Sequence, residues 1–159
     1  MVVQIISKAA FTVVGAKYRG KNEHNEIPRL WDKEYLPRMA EIKHRSELNV
    51  SYGLMGNYDP QSGEYDYVAG ADVSDATDIP QGMVVWQVPT LTYAVYPCIL
   101  LEIGAAWDYM YQTWLPNSSY QHAEGPEFEY YGVEFTTSTD PAKARMYLYV
   151  PIIPLVYKV

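Results

Sequence analysis

The chain has little of several things. Its 159 residues include one cysteine, Cys98, three histidines and three phenylalanines. A lone cysteine excludes an internal disulfide and fits a reducing compartment. Set between Pro97 and the apolar run Ile99-Leu100-Leu101, Cys98 reads as a packing thiol rather than a nucleophile. His24, His44 and His122 sit in polar segments without metal-ligand spacing. The sequence carries no GxGxxG, P-loop, GxSxG or HExxH pattern. It therefore assigns no catalytic residue, no metal and no cofactor. Basic residues are also scarce: 12 Lys and Arg face 19 Asp and Glu, a net charge of −7, which argues against a phosphate-neutralising face and direct nucleic-acid binding. Pro97, Glu102 and Pro151 interrupt the best apolar runs, leaving nothing near the ~18 residues of a membrane span. The segment Met1 to Val14 lacks the basic start and cleavage site of a signal peptide. The expectation is a cytoplasmic protein with no membrane partner.

What is abundant is tyrosine. There are 16 Tyr and 4 Trp, so 20 of the 23 aromatic side chains carry a polar atom. A core built only for packing has no use for that bias, because each buried hydroxyl needs a partner. Charge is uneven as well: up to Asn49 nine basic residues face six acidic ones, whereas from Val50 onward three face thirteen. Two readings are open: the Lys and Arg residues solubilise one helix and its flanks, or the acidic remainder attracts cations.

Length fits one domain, 1–159. Phe11 to Tyr18, Val50 to Tyr58 and Tyr65 to Val73 read as strands, with a turn at Asp59-Pro60-Gln61-Ser62-Gly63. Between the first two strands, Asn25 can cap a helix that tolerates Pro28 in its first turn; Ile27, Leu30, Trp31 and Tyr35 hold helical spacing until Pro37. The order then recurs. Met83 to Val88 and Leu91 to Ile99 are strand-like, Trp107, Met110, Tyr111, Trp114 and Leu115 form a helical stripe stopped by Pro116, and Phe128 to Phe135 and Arg145 to Pro151 are strands. Leu36-Pro37 matches Leu115-Pro116, and Tyr52-Gly53 matches Tyr131-Gly132, both at an offset of 79. The predicted fold is α+β: a pseudo-twofold tandem repeat of two β-α-β-β modules, with halves of about 1–79 and 80–159.

The repeat also assigns faces. Side chains alternate along a strand, so Val50, Tyr52 and Leu54 share one face, and at the same offset Glu129, Tyr131, Val133 and Phe135 share the matching one. Glu129 then stands where its twin holds Val50, a costly place for a carboxylate without a partner. Three readings are open: pairing with Arg145 or Lys143, exposure through a one-residue shift of face, or a partner that arrives as ligand. A carboxylate ringed by Tyr and Trp suits an organic cation, which gains countercharge and cation–π attraction together.

These segments resemble a known family. Gly125-Pro126-Glu127-Phe128-Glu129-Tyr130-Tyr131 looks like the Phe-Glu-x-Tyr strand of GyrI-like, or AraC-type effector-binding, domains. Tyr65-Asp66-Tyr67-Val68-Ala69-Gly70 resembles their first returning strand, Tyr93-Ala94-Val95-Tyr96 their Tyr-Ala-Val strand (with Pro89-Thr90-Leu91-Thr92 in place of the usual lead), and Tyr149-Val150-Pro151-Ile152 their terminal signature. The resemblance implies a ligand cleft between the two modules, a cation-contacting role for Glu129 with Tyr131 beside it, and a stand-alone relative without the DNA-binding module that such domains often follow. The expected ligand is an amphipathic, cationic, aromatic small molecule, walled by Tyr131, Tyr93, Trp86, Tyr147, Tyr149 and Trp107. Two alternatives come with the family: a hydrolase of electrophilic toxins that uses Glu129 as general base in the same cleft, and a protein-interaction module with a protein partner or a homodimer.

Overall fold

In the computed structural model, which describes residues 2–156, nine strands pair antiparallel: β1 (Gln4–Lys8), β2 (Phe11–Gly20), β3 (Ser51–Gly56), β4 (Tyr65–Val73), β5 (Val84–Val88), β6 (Leu91–Ile99), β7 (Tyr120–His122), β8 (Glu127–Tyr131) and β9 (Arg145–Pro154). Eight of them form one sheet in the order β1-β6-β9-β8-β3-β4-β2-β5, and β7 adds to β9. The α+β class expected from the sequence is observed.

The two ends of this sheet meet. Lys8 faces Leu91 on one ladder and Phe11 faces Val88 on the other, so a single register runs through both. Only Ala9-Ala10 separates β1 from β2, and only Pro89-Thr90 separates β5 from β6. Proline at that bend has no N–H to offer a ladder; the Ala10 N–H instead donates to Thr90 Oγ1 at 3.0 Å. The N-terminal strand of each half thus lies on the sheet edge of the other half, an exchange that the predicted β-α-β-β order leaves out. The curled sheet encloses a core of Val13, Leu54, Val68, Tyr93, Val95 and Phe128.

Two helical segments cover the outer face. The first runs from an α-helical turn (Glu26–Arg29) through a π-helical turn (Leu30–Tyr35) into a 3-10 stretch (Leu36–Glu41). The second passes through Ile103–Asp108 (α), Tyr109–Trp114 (π) and Leu115–Asn117 (3-10). The π turns lie 79 residues apart, and each ends just before a Leu-Pro pair. A proline ring collides with the carbonyl four residues before it; widening the preceding turn moves that carbonyl aside, and the Leu36 and Leu115 N–H groups bond back five residues to the Trp31 and Met110 carbonyls. Leu30, Tyr35 and Tyr67 pack under the first segment, and Met110, Val150 and Ile152 under the second.

Several expectations need correction. Asn25 takes a left-handed backbone and makes no side-chain cap; Asn22 Oδ1 accepts the Ile27 N–H at 3.0 Å instead. The strand expected over Phe128 to Phe135 stops at Tyr131, and Val133–Thr136 forms a helical turn whose N–H groups bond back to the Gly132 and Val133 carbonyls. The gap-free offset of 79 describes the helical segments but not the central strands. There Ser51 faces Tyr131 and Gly53 faces Glu129. Directly opposed residues share a face, so Tyr52 and Tyr131, which are 79 apart, point to opposite sides of the sheet. Glu129 therefore does not share the face of Val50, Tyr52 and Leu54.

Cys98 packs with Ala106, Met146 and Leu148, and burial pushes its thiol pKa up to about 12. The native thiol is expected to resist a thiol-titrating reagent at pH 8 and to react stoichiometrically once denaturant is added. Rapid reaction of the native protein would contradict this packing.

Candidate functional site

Strands β3 and β8 pair at the middle of the sheet order, and their register puts Glu129 opposite Gly53 on the outer face, beneath the helical segments. Gly53 presents no side chain, and that vacancy is filled. Tyr67 reaches across from β4, and its hydroxyl donates to Glu129 Oε1 at 2.7 Å. The Tyr131 hydroxyl donates to the same oxygen at 2.9 Å. Behind them the Trp31 indole Nε1–H, carried on the first π turn, donates to the Tyr67 hydroxyl at 2.9 Å. The Trp31 and Tyr131 rings meet edge to face at 5.1 Å. Nearby, Tyr35 and Ser51 join their hydroxyls at 2.8 Å.

Glu129 is 7% exposed, yet its carboxylate makes no ion pair among the described residues. Of the two internal candidates, Arg145 approaches Glu134 at 3.9 Å and Lys143 makes no ion pair among the described residues. Internal pairing and exposure, the first two readings open to the sequence, are both set aside. Burial pushes the Glu129 carboxyl above the usual range, against the hydrogen bonds from Tyr67 and Tyr131 and a smaller opposing influence of Trp107. Burial and the adjacent carboxylate hold the Tyr67 and Tyr131 phenols well above their ordinary values, so both remain donors. The site is thus a buried carboxyl group held through Oε1 by two phenol hydroxyls, with no cation beside it among the described residues.

Of the residues that the sequence nominates, the structure brings together Glu129, Tyr131 and Trp107, with Trp107 packing from the second helical segment into the cluster that contains Tyr131. Trp86, Tyr93, Tyr147 and Tyr149 lie elsewhere, against the enclosed core on the opposite face. The register decides this: Tyr149 faces Phe128 and Tyr147 faces Tyr130, the β8 residues that alternate with Glu129. Tyr67, Trp31 and Gly53 were not nominated. Tyr67 and Gly53 sit inside motifs that the sequence does display, but their meeting depends on cross-strand register, which no single strand encodes. Glu127 shares the Glu129 face because β8 begins at Glu127, and His122 Nε2 lies 3.2 Å from its carboxylate. Among the described residues no helix is long and apolar enough to cross a membrane, and no cluster of three potential metal ligands occurs.

The geometry has counterparts. Residues 4–152 match the family model of the integron-associated effector binding protein, Cass2. The transcriptional regulator BrlR of Pseudomonas aeruginosa is 34% identical over 154 residues, 96% of this chain and 56% of BrlR; the chain thus spans little more than half the length of that relative. An integron cassette protein from the mobile metagenome of Vibrio cholerae has a similar fold (TM-score 0.69, 21% identity, 95% of each chain). So does SAV2435 bound to tetraphenylphosphonium (TM-score 0.69, 20% identity, 96% of this chain and 94% of that one). By sequence over 149 of its 159 residues and by fold, the chain belongs to the integron-associated effector-binding family and is a GyrI-like effector-binding domain.

Proposed function

We propose that this chain binds amphipathic aromatic cations, with Glu129 as countercharge, in a cleft between the helical segments above the β3–β8 seam. The observation that carries this reading is the buried Glu129 carboxylate, anchored by two tyrosine hydroxyls and without a cation partner among the described residues. The similarly folded SAV2435, bound to tetraphenylphosphonium, supports the ligand class. Trp31 and Tyr131 supply aromatic faces beside the anion. Because Trp31 caps Tyr67, entry of a bulky cation displaces the first helical segment. The role is sensing or sequestration of such compounds in the cytoplasm. The chain acts as a single domain, and its halves of about 1–79 and 80–159 are duplicated modules, a reading supported by the equally spaced π turns and the reciprocal exchange of β1 and β5.

Two probes of one shape and opposite charge test the proposal. Tetraphenylphosphonium is expected to saturate the protein in a calorimetric or fluorescence titration, whereas tetraphenylborate is not; equal affinity for both would defeat it. Affinity should be constant at high pH. It should fall up to tenfold per pH unit below the raised Glu129 pKa, where the proton competes with the cation. Mass spectrometry of recovered ligand distinguishes binding from turnover.

A further inference from the structure

Three tyrosines that do not reach Glu129 line a concavity of their own. On the opposite face of the sheet, at the mouth of the enclosed core, a cavity of about 170 Å³ is bordered by Tyr52, Tyr130 and Tyr149 and by the charged groups of Lys8, Asp72 and Glu47. Tyr52 and Tyr130 meet edge to face at 5.5 Å, and Tyr130 and Tyr149 lie tilted at 6.0 Å, giving three rings around one space. Taking roughly 30 Å³ per water, the space equals that of about five or six waters.

The site already shows what it attracts. The Lys8 ammonium stands 4.6 Å from the Phe11 ring centre and 5.8 Å from that of Tyr52, and it makes no ion pair with Asp72 or Glu47 among the described residues. The tethered ammonium thus stands over the aromatic rims, within Coulomb reach of Asp72 but not paired with it. Two carboxylates against one ammonium leave the cavity short of positive charge. Burial holds the Asp72 carboxyl above its ordinary value, with Glu47 adding to the shift and Lys8 opposing it. A group that fits must be compact, positive and cheap to dehydrate. It should make its contacts with ring faces and carboxylate oxygens rather than through directed N–H donors. Those are the properties of a methylated ammonium.

We propose that this mouth is a second binding site, separate from Glu129, for a small quaternary ammonium compound of choline size. Tyr52, Tyr130 and Tyr149 form its wall, Asp72 supplies the countercharge, and Lys8 competes from within the chain. The two sites are separated by the sheet itself, since the adjacent residues Tyr52 and Gly53 point to opposite faces.

Choline and its uncharged carbon isostere, dimethylbutanol, are the probes, followed by nuclear magnetic resonance titration of the whole chain. Choline is expected to bind saturably and to shift the resonances of Tyr52, Tyr130 and Tyr149, whereas dimethylbutanol does not. Lys8→Met frees the rings and should tighten choline binding about tenfold. Asp72→Asn should weaken it about tenfold, with Tyr149→Leu as the substitute if Asp72→Asn fails to fold. Glu129→Gln should leave it unchanged. Three results would each overturn the proposal: no saturable choline binding in either the natural chain or Lys8→Met, equal binding of dimethylbutanol, or loss of choline binding in Glu129→Gln.

Discussion

Glu129→Gln is expected to remove tetraphenylphosphonium binding while making the ligand-free protein more stable. The amide keeps the shape of the carboxylate and can still accept the Tyr67 and Tyr131 hydrogen bonds through its oxygen. What it loses is the charge. Removing one member of a buried charge pair costs about 2–5 kcal/mol, a loss of roughly thirtyfold to several thousandfold in affinity. The stability change has the opposite sign. Glu129 holds its proton more tightly in the folded chain than an unfolded carboxyl does. Stability is therefore greatest below the unfolded pKa, falls as pH rises toward the folded pKa, and stays reduced above it. Above the folded pKa the ionised native state bears that full cost, about 1.4 kcal/mol for each tenfold difference in proton affinity. Glutamine has no proton to lose, so the variant should melt higher at pH 7, and the gap should close as pH is lowered. Tight binding by a stable Glu129→Gln variant would refute the assigned role of Glu129.

Gly53→Ala should damage both the site and the fold. An added Cβ would stand 2.1 Å from the Tyr67 hydroxyl and 2.6 Å from Glu129 Oε1. Glycine inside a strand ordinarily weakens it, so alanine there would normally stabilise by about 0.5–1 kcal/mol. Here the methyl group must expel the Tyr67 phenol from its hydrogen bond, an overpacking penalty of about 1–3 kcal/mol. The expected result is a lower melting temperature and at least a tenfold loss of tetraphenylphosphonium affinity. Adding Tyr67→Phe to the same chain removes the hydroxyl that the methyl group strikes. That double variant should recover part of the stability but not the binding. A Gly53→Ala protein that is more stable than its parent would show that Tyr67 does not occupy this space.

Much of this was legible in the residues, for identifiable reasons. The Leu-Pro pairs marked where each helical segment changes from a π turn to 3-10 helix, though not where it ends, because proline acts locally on its own turn. The hairpin between β3 and β4 announced itself in Asp59 through Gly63, whose backbone turns with Gly63 at positive φ. Glu129 stood out as a carboxylate in an apolar strand, and it is buried, though the face assigned to it was the wrong one. A strand written alone states that its side chains alternate; it does not state which set faces which neighbour. The register between β3 and β8 supplies that, and it sets Tyr67 and Trp31 around Glu129 while Tyr93, Trp86, Tyr147 and Tyr149 pack against the core on the other face. The pairing of the edge strands β1 and β5 was obscured in the same way, although Met83 to Val88 itself read as a strand, because each finds its partner in the opposite half of the chain.

That exchange sets a timetable on the ribosome. The partner of Gln4 is Val95, and the partner of Phe11 is Val88. At about 5–20 residues per second, the stretch from Val73 to Val88 takes roughly one to three seconds, during which the completed β2–β4 pair lacks the strand that covers its outer edge. Through that interval the nascent β2 offers a row of unpaired N–H and C=O groups to any neighbouring chain. Slow translation between codons 73 and 88 would lengthen the exposure. Crowded polysomes, rather than the finished protein, are where this fold is most open to aggregation.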